Sequence, residues 1–183
     1  MAQIHGGRVV AKALKAEDVA FVFTLCGGHV MPIYDGCIDE GIGVIDVRHE
    51  QTAAHAADGW AWVTGRPGVA IVTAGPGLTD AVTGVASAHR ANIPMLIIGG
   101  QGPRPFADMG SLQDMNHVEL MRPITKWSVA VPEGRRLAEY VSMAFRIATT
   151  GLPGPVFLEM PIDQLFGSFE ENEIPFPTKY RTE

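Results

Sequence analysis

The side chains best suited to chemistry gather in Asp46-Val-Arg-His-Glu-Gln-Thr-Ala-Ala-His55. Two histidines, His49 and His55, flank Glu50 where an apolar run hands over to an alanine-rich stretch. A His-Glu pair opening a helix begins the zinc-binding HExxH pattern, but the second histidine would fall at position 53, which is Ala53. His55 lies about 240° around a helix from His49, so the two make a poor pair of ligands. No metal site is expected from this chain. Glu50 is therefore either a first-turn carboxylate favoured by the helix dipole or an acid aimed from a strand end.

Other chemical motifs are quickly narrowed. Gly75-Pro-Gly77 sits between an apolar run and a helical pattern, as a dinucleotide loop would, but the third glycine of that fingerprint is replaced by Asp80. There is no GxxxxGK[ST] phosphate loop and no GxSxG nucleophile elbow, and Cys26 lacks the signature of a catalytic cysteine.

The elements that must position these residues follow from periodicity. Helices are expected over 7–17, 30–40 (with Pro32 in its first turn), 50–64, 78–91 and 133–149. Apolar runs at 19–25, 43–47, 69–74, 94–99, 124–131 and 155–160 read as strands, and 100–116 as a long irregular connection. Continuous apolar strands alternating with helices predict an α/β fold, a three-layer open parallel sheet of about six strands with helices on both faces. Right-handed crossovers place the C-terminal ends of all strands on one edge, where such sheets bind ligands. Cys26–His29, His49-Glu50, Gly75–Gly77 and 100–116 then share one rim.

Small residues line the two helices that begin on this rim. Ala53, Ala54, Ala56, Ala57, Gly59 and Ala61 occupy one, and Ala81, Gly84, Ala86, Ser87 and Ala88 the other. Either they pack tightly against each other or a partner chain, or they reflect helix propensity in a crowded core.

Composition bounds the rest. The 183 residues are 46% hydrophobic and only 19% charged, with 21 glycines, which suits one well-buried domain. A net charge of −6 argues against nucleic-acid or anionic-membrane partners. Cys26 and Cys37 are expected to be reduced, buried thiols, which together with a first segment lacking a signal-peptide core makes the cytoplasm the expected compartment. No apolar run is long enough to span a bilayer. The polar segment 167–183, with Pro175 and Pro177, reads as a linker following a domain over 1–166.

Four motifs in order carry a family resemblance: Leu25-Cys-Gly-Gly-His-Val-Met-Pro-Ile-Tyr34, Arg48-His-Glu-Gln-Thr-Ala53, Ala74-Gly-Pro-Gly-Leu-Thr79 and Gly151-Leu-Pro-Gly-Pro-Val156. Together they resemble the N-terminal, pyrimidine-binding domain of thiamine-diphosphate enzymes, in particular the acetolactate synthase large subunit and 2-hydroxyacyl-CoA lyases. The segments Gly110-Ser-Leu-Gln-Asp-Met115 and Arg122-Pro-Ile-Thr-Lys126 fit the same group.

The resemblance implies the thiamine-diphosphate-binding fold and a role for several residues. The glutamate matching Glu50 hydrogen-bonds N1′ of the cofactor's aminopyrimidine, which promotes loss of the thiazolium C2 proton and attack on a substrate carbonyl. Gly27 and Gly28 match a loop beside the pyrimidine, and Pro76 and Gly77 match a turn over it. His29, Gln113 and Lys126 match substrate-side positions, each with a plainer alternative: a helix-capping histidine, a polar loop residue and a solvated strand-end lysine.

The resemblance also implies parts absent from these residues. Mg2+ and the diphosphate belong to a pyrophosphate-binding domain with a Gly-Asp-Gly motif, and FAD or an adenine nucleotide to a middle domain. The chain is thus expected to be a piece of a longer homo-oligomeric enzyme acting on a small 2-ketoacid or acyl-CoA. Alternatives are one subunit of a split 2-ketoacid decarboxylase, or a noncatalytic α/β scaffold or nucleotide-binding protein.

Overall fold

A computed structural model of the chain describes residues 2–177. In chain order the elements are β1 (Gln3–His5), α1 (Gly6–Ala16), β2 (Phe21–Thr24), α2 (Met31–Asp39), β3 (Gly43–Asp46), α3 (Glu50–Thr64), β4 (Gly68–Val72) and α4 (Pro76–Ala91). They continue with β5 (Met95–Gln101), α5 (His117–Met121), β6 (Trp127–Ala130), α6 (Leu137–Thr149), β7 (Pro155–Pro161), α7 (Ile162–Phe166) and β8 (Ser168–Glu170). Six strands form one sheet in the order β3-β2-β4-β5-β7-β6, every pair parallel. The expected α/β architecture, with helices on both faces, is the one observed.

Side-chain alternation along the strands divides the core in two. Val69, Ile71, Leu96, Ile98, Val156 and Leu158 face the layer of α1, α2 and α6. Ala70, Val72, Met95, Ile97 and Phe157 face the layer of α3 and α4. The allocation follows from right-handed crossovers. Connections moving from β2 to β3 and from β6 to β7 run one way along the sheet and put α2 and α6 on one face. Those from β3 to β4 and β4 to β5 run the other way and put α3 and α4 opposite.

Ala54 and Gly84 serve the mutual packing of α3 and α4, whereas Gly59 and Ser87 are exposed. A Cβ on Gly84 would stand 2.5 Å from the Ala54 Cβ, and one on Gly68 only 1.9 Å from the Ala57 carbonyl oxygen. This close approach holds both helix N-termini at the same rim.

The structure departs from expectation in several places. Residues 168–176 do not run free as a linker: β8 pairs antiparallel with β1, and Phe169, Ile174 and Phe176 pack on the core. Three apolar anchors in a polar segment are enough to dock it; residues 178–183 lie outside those described. The connection after β5 contains the short helix α5, which periodicity over five residues cannot reveal. Strand β3 is an edge strand and only half covered. Cys37 is buried, which pushes its thiol up to about 12, whereas Cys26 is exposed rather than buried. Among the described residues no helix is long and apolar enough to cross a membrane.

Candidate functional site

The strand order creates a topological switch point. The chain leaves β2 toward β3 on one side and leaves β4 toward β5 on the other, the arrangement at which open α/β sheets bind ligands outside the C-terminal strand ends. The two glycine turns lie there side by side, since a Cβ on Gly27 would meet the Thr73 Cβ at 2.3 Å.

The turn after β2 is held from behind. Asp46 Oδ1, at the end of β3, accepts the Cys26 N–H at 3.1 Å. Thr24 Oγ1 donates to the Ile71 carbonyl at 2.6 Å and lies 2.7 Å from the Tyr34 hydroxyl. Burial raises the Tyr34 hydroxyl to about 12, so it stays protonated. Gly28 differs from Gly27 in having no atom within 4 Å of a Cβ added to it. One glycine is required by packing and the other borders open space.

Glu50 is the first residue of α3 and is buried, although His49 beside it is exposed. His49 caps the helix, its Nδ1 accepting the Gln51 N–H at 3.2 Å. Among the described residues, no hydrogen bond or ion pair engages the Glu50 carboxylate. Its close neighbour is the α4 turn: a Cβ on Gly77 would stand 3.3 Å from Glu50 Oε1 and 2.6 Å from Thr73 Cγ2. A buried carboxylate without a partner, beside backbone that only glycine can supply, is poised to meet a polar group brought from outside.

His49 Nε2 lies 3.8 Å from Asp80, and potential ligand atoms of His49, Glu50 and Asp80 fall within 4.8 Å of one another. Spacing rules out the HExxH pattern, and the contribution of Asp80 from α4 was not visible in it.

Of the other candidates, His29 and Gln113 come to the rim and Lys126 does not. His29 is buried, with Nδ1 3.0 Å from Thr73 Oγ1. Desolvation lowers its pKa, and the nearby His117 adds to the effect, against a bond with the Leu112 backbone. It therefore does not cap α2, whose N-cap is Val30. Gln113 has φ 61° and its backbone packs on Gly75, with 2.9 Å between the Gln113 oxygen and a Cβ placed there. Lys126 precedes β6 and so lies at the opposite edge of the sheet. It donates to the carbonyls of Ile147 and, at 2.7 Å, Thr150, satisfying the C-terminal end of α6.

A buried network links residues that no spacing in the sequence connects. The Gly75 N–H donates to His117 Nε2, while His117 Nδ1 faces Glu159 and Gln101 bonds the same carboxylate. No motif announces it, because its members are 42 and 58 residues apart.

The fold is that of an α/β domain with a switch point at β2/β4, and at its rim lies the buried Glu50 with no side-chain partner among the described residues. Residues 4–120 match the family described as "Thiamine pyrophosphate enzyme, N-terminal TPP binding domain", and the chain belongs to that family. It is 41% identical over 172 residues to a probable acetolactate synthase of Mycobacterium bovis, covering 94% of this chain and 31% of that protein. It is 47% identical over 162 residues to 2-hydroxyacyl-CoA lyase 2 of Danio rerio, covering 88% and 26%. With 2-hydroxyacyl-CoA lyase 2 of Homo sapiens it shares 43% over 175 residues, covering 96% and 28%. The chain thus spans about a quarter to a third of the length of these curated relatives.

Proposed function

We propose that the chain is the aminopyrimidine-binding portion of a thiamine-diphosphate-dependent enzyme of acetolactate synthase or 2-hydroxyacyl-CoA lyase type. Such an enzyme forms or cleaves a C–C bond next to a carbonyl. The observation that carries the reading is the buried carboxylate of Glu50, unengaged within the described residues and set against the Gly77 backbone.

The donor set fits the aminopyrimidine end of the cofactor. Glu50 holds or shares a proton with the ring nitrogen N1′. Gly28 would leave room for the ring, Gly27 keeps its turn tight against Thr73, and Pro76 and Gly77 at the start of α4 would border it. When bound, thiamine diphosphate supplies a carbon nucleophile and an electron sink. His29 and Gln113 border the Gly75 turn and are the substrate-side residues in this reading.

The rest of the site belongs to other parts. A pyrophosphate-binding domain or subunit holds the diphosphate and Mg2+, and a middle domain holds FAD or an adenine nucleotide where one is used. Exposed Trp62, Val63, Phe106, Met109 and Leu112 supply apolar surface for those contacts and for a homo-oligomer. A small 2-ketoacid or an acyl-CoA is the substrate class, by the names of the relatives. Free Cys26 and Cys37 fit a reducing compartment, the cytoplasm. The test is exchange of the cofactor C2 proton in the assembled enzyme carrying Glu50→Gln.

A further inference from the structure

His117 is fully buried, and the cofactor reading makes no use of it. Its Nε2 accepts the Gly75 N–H at 2.7 Å, and its Nδ1 lies 2.9 Å from Glu159 Oε2. Gln101 Nε2 donates its two hydrogens to the same Glu159 oxygen at 3.2 Å and to the Met115 carbonyl at 2.9 Å, and also stands 3.2 Å from His117 Nδ1. Gly75 follows β4, Gln101 closes β5 and Glu159 lies in β7, so one imidazole joins the ligand-side ends of three strands.

The hydrogen-bond directions select one tautomer. A backbone N–H only donates, so Nε2 is bare and the ring hydrogen is on Nδ1, facing Glu159. An ionised carboxylate only accepts, which favours that arrangement. In the other tautomer two N–H groups would oppose each other at Gly75.

We propose that His117, held in one tautomer by Glu159, is a positioning residue for the Gly75–Gly77 turn and through it for Glu50. Gly75 has φ 59° and ψ −118°, a conformation that persists only where the surroundings determine it. It is the N-cap of α4, and no side chain there caps the helix, so the His117 bond is what fixes its N–H. Two residues further on, Gly77 is the backbone against the Glu50 carboxylate. Freeing the Gly75 N–H lets this turn move relative to Glu50. The anchoring half of the proposal stands on the geometry alone; its effect on Glu50 rests on the function proposed above.

The test begins on this chain without cofactor. Nitrogen-15 NMR of the His117 ring reports its tautomer, and amide hydrogen exchange reports Gly75. The native chain is expected to show the Nδ1–H form and a protected Gly75 amide. Glu159→Gln keeps the size but can present an NH2 to Nδ1, so it should mix the tautomers. It should also speed Gly75 exchange about tenfold or more, while the Phe157 amide in central β7 stays protected. His117→Gln should speed Gly75 exchange as much; if it fails to fold, Glu159→Gln carries the test. An unprotected Gly75 amide in the native chain, or an unchanged tautomer and exchange in Glu159→Gln, overturns the proposal. In the assembled enzyme, Glu159→Gln should also slow cofactor C2 exchange, whereas Glu50→Gln slows it with Gly75 still protected. Loosened Gly75 with unchanged C2 exchange would overturn the positioning role and leave the assignment of Glu50 intact.

Discussion

Glu50 in the first turn of α3 and Gly77 in the first turn of α4 approach so closely that a Cβ on Gly77 would stand 3.3 Å from Glu50 Oε1. Small-residue packing between the two helices produces this approach, since Ala54 and Gly84 let their backbones meet. The acid and the turn are thus parts of one packing arrangement rather than independent loops.

That arrangement is sensitive to volume at Gly84. Gly84→Val adds atoms that would meet Ala54 Cβ and the His55 backbone. Overpacking of this kind costs about 1–3 kcal/mol, and each kcal/mol lowers the midpoint by about 2–4 °C at this size. Thermal unfolding checks it; an unchanged midpoint would mean the helices are not in close contact.

The two glycines after β2 should separate stability from binding. Gly27→Ala places a Cβ 2.3 Å from Thr73 and is expected to destabilise the chain. Gly28→Ala meets no protein atom within 4 Å and should leave the midpoint nearly unchanged, yet weaken cofactor binding in the assembled enzyme. Thermal unfolding and calorimetric titration with thiamine diphosphate distinguish the two. Equal destabilisation by both would remove the argument that Gly28 borders ligand space.

His29 sets a pH dependence. Burial lowers its pKa below the ordinary 6.5, so just below that value the unfolded chain binds more protons than the folded one. Its contribution is fully present above 6.5 and is lost as pH falls through that value toward the folded-state one. His29→Asn should flatten the stability slope below about pH 6.5. Chemical denaturation at several pH values measures it, and identical slopes would count against a buried neutral imidazole.

Asp58 lies on the buried stripe of α3, and its Oδ1 has no hydrogen-bond partner among the described residues. Desolvation raises its pKa above the ordinary 3.8, opposed by His55, so stability falls as pH rises from that value to the higher folded-state one. Asp58→Asn removes the charge and should stabilise this chain at neutral pH by about 1 kcal/mol. Denaturant titration checks the sign; destabilisation would show that the carboxylate is engaged.

Much of this was legible in the sequence because it depends on local order. The handover from charged residues to an alanine-rich helix locates Glu50 at the start of α3, and the glycine turns mark the ends of β2 and β4. Parallel pairing follows from the alternation of elements, and with it the shared rim. Strand order does not, so the switch point between β2 and β4 appears only in the fold. The polar run after 167 conceals Phe169, Ile174 and Phe176, three anchors without periodicity. Lys126 lies in a motif that resembles the family's but immediately precedes β6, which puts it on the far edge. His117, Gln101 and Glu159 meet through distant pairings that spacing cannot show.

The central claim is that Glu50 activates the cofactor through its aminopyrimidine ring. The direct measurement is deuterium exchange at the thiamine diphosphate C2 position in the assembled enzyme, native against Glu50→Gln, with both shown to bind the cofactor. Positioned proton transfer contributes about 10²–10⁴-fold, and a slowing of that order is the predicted result. An exchange rate unchanged by the substitution would contradict the account.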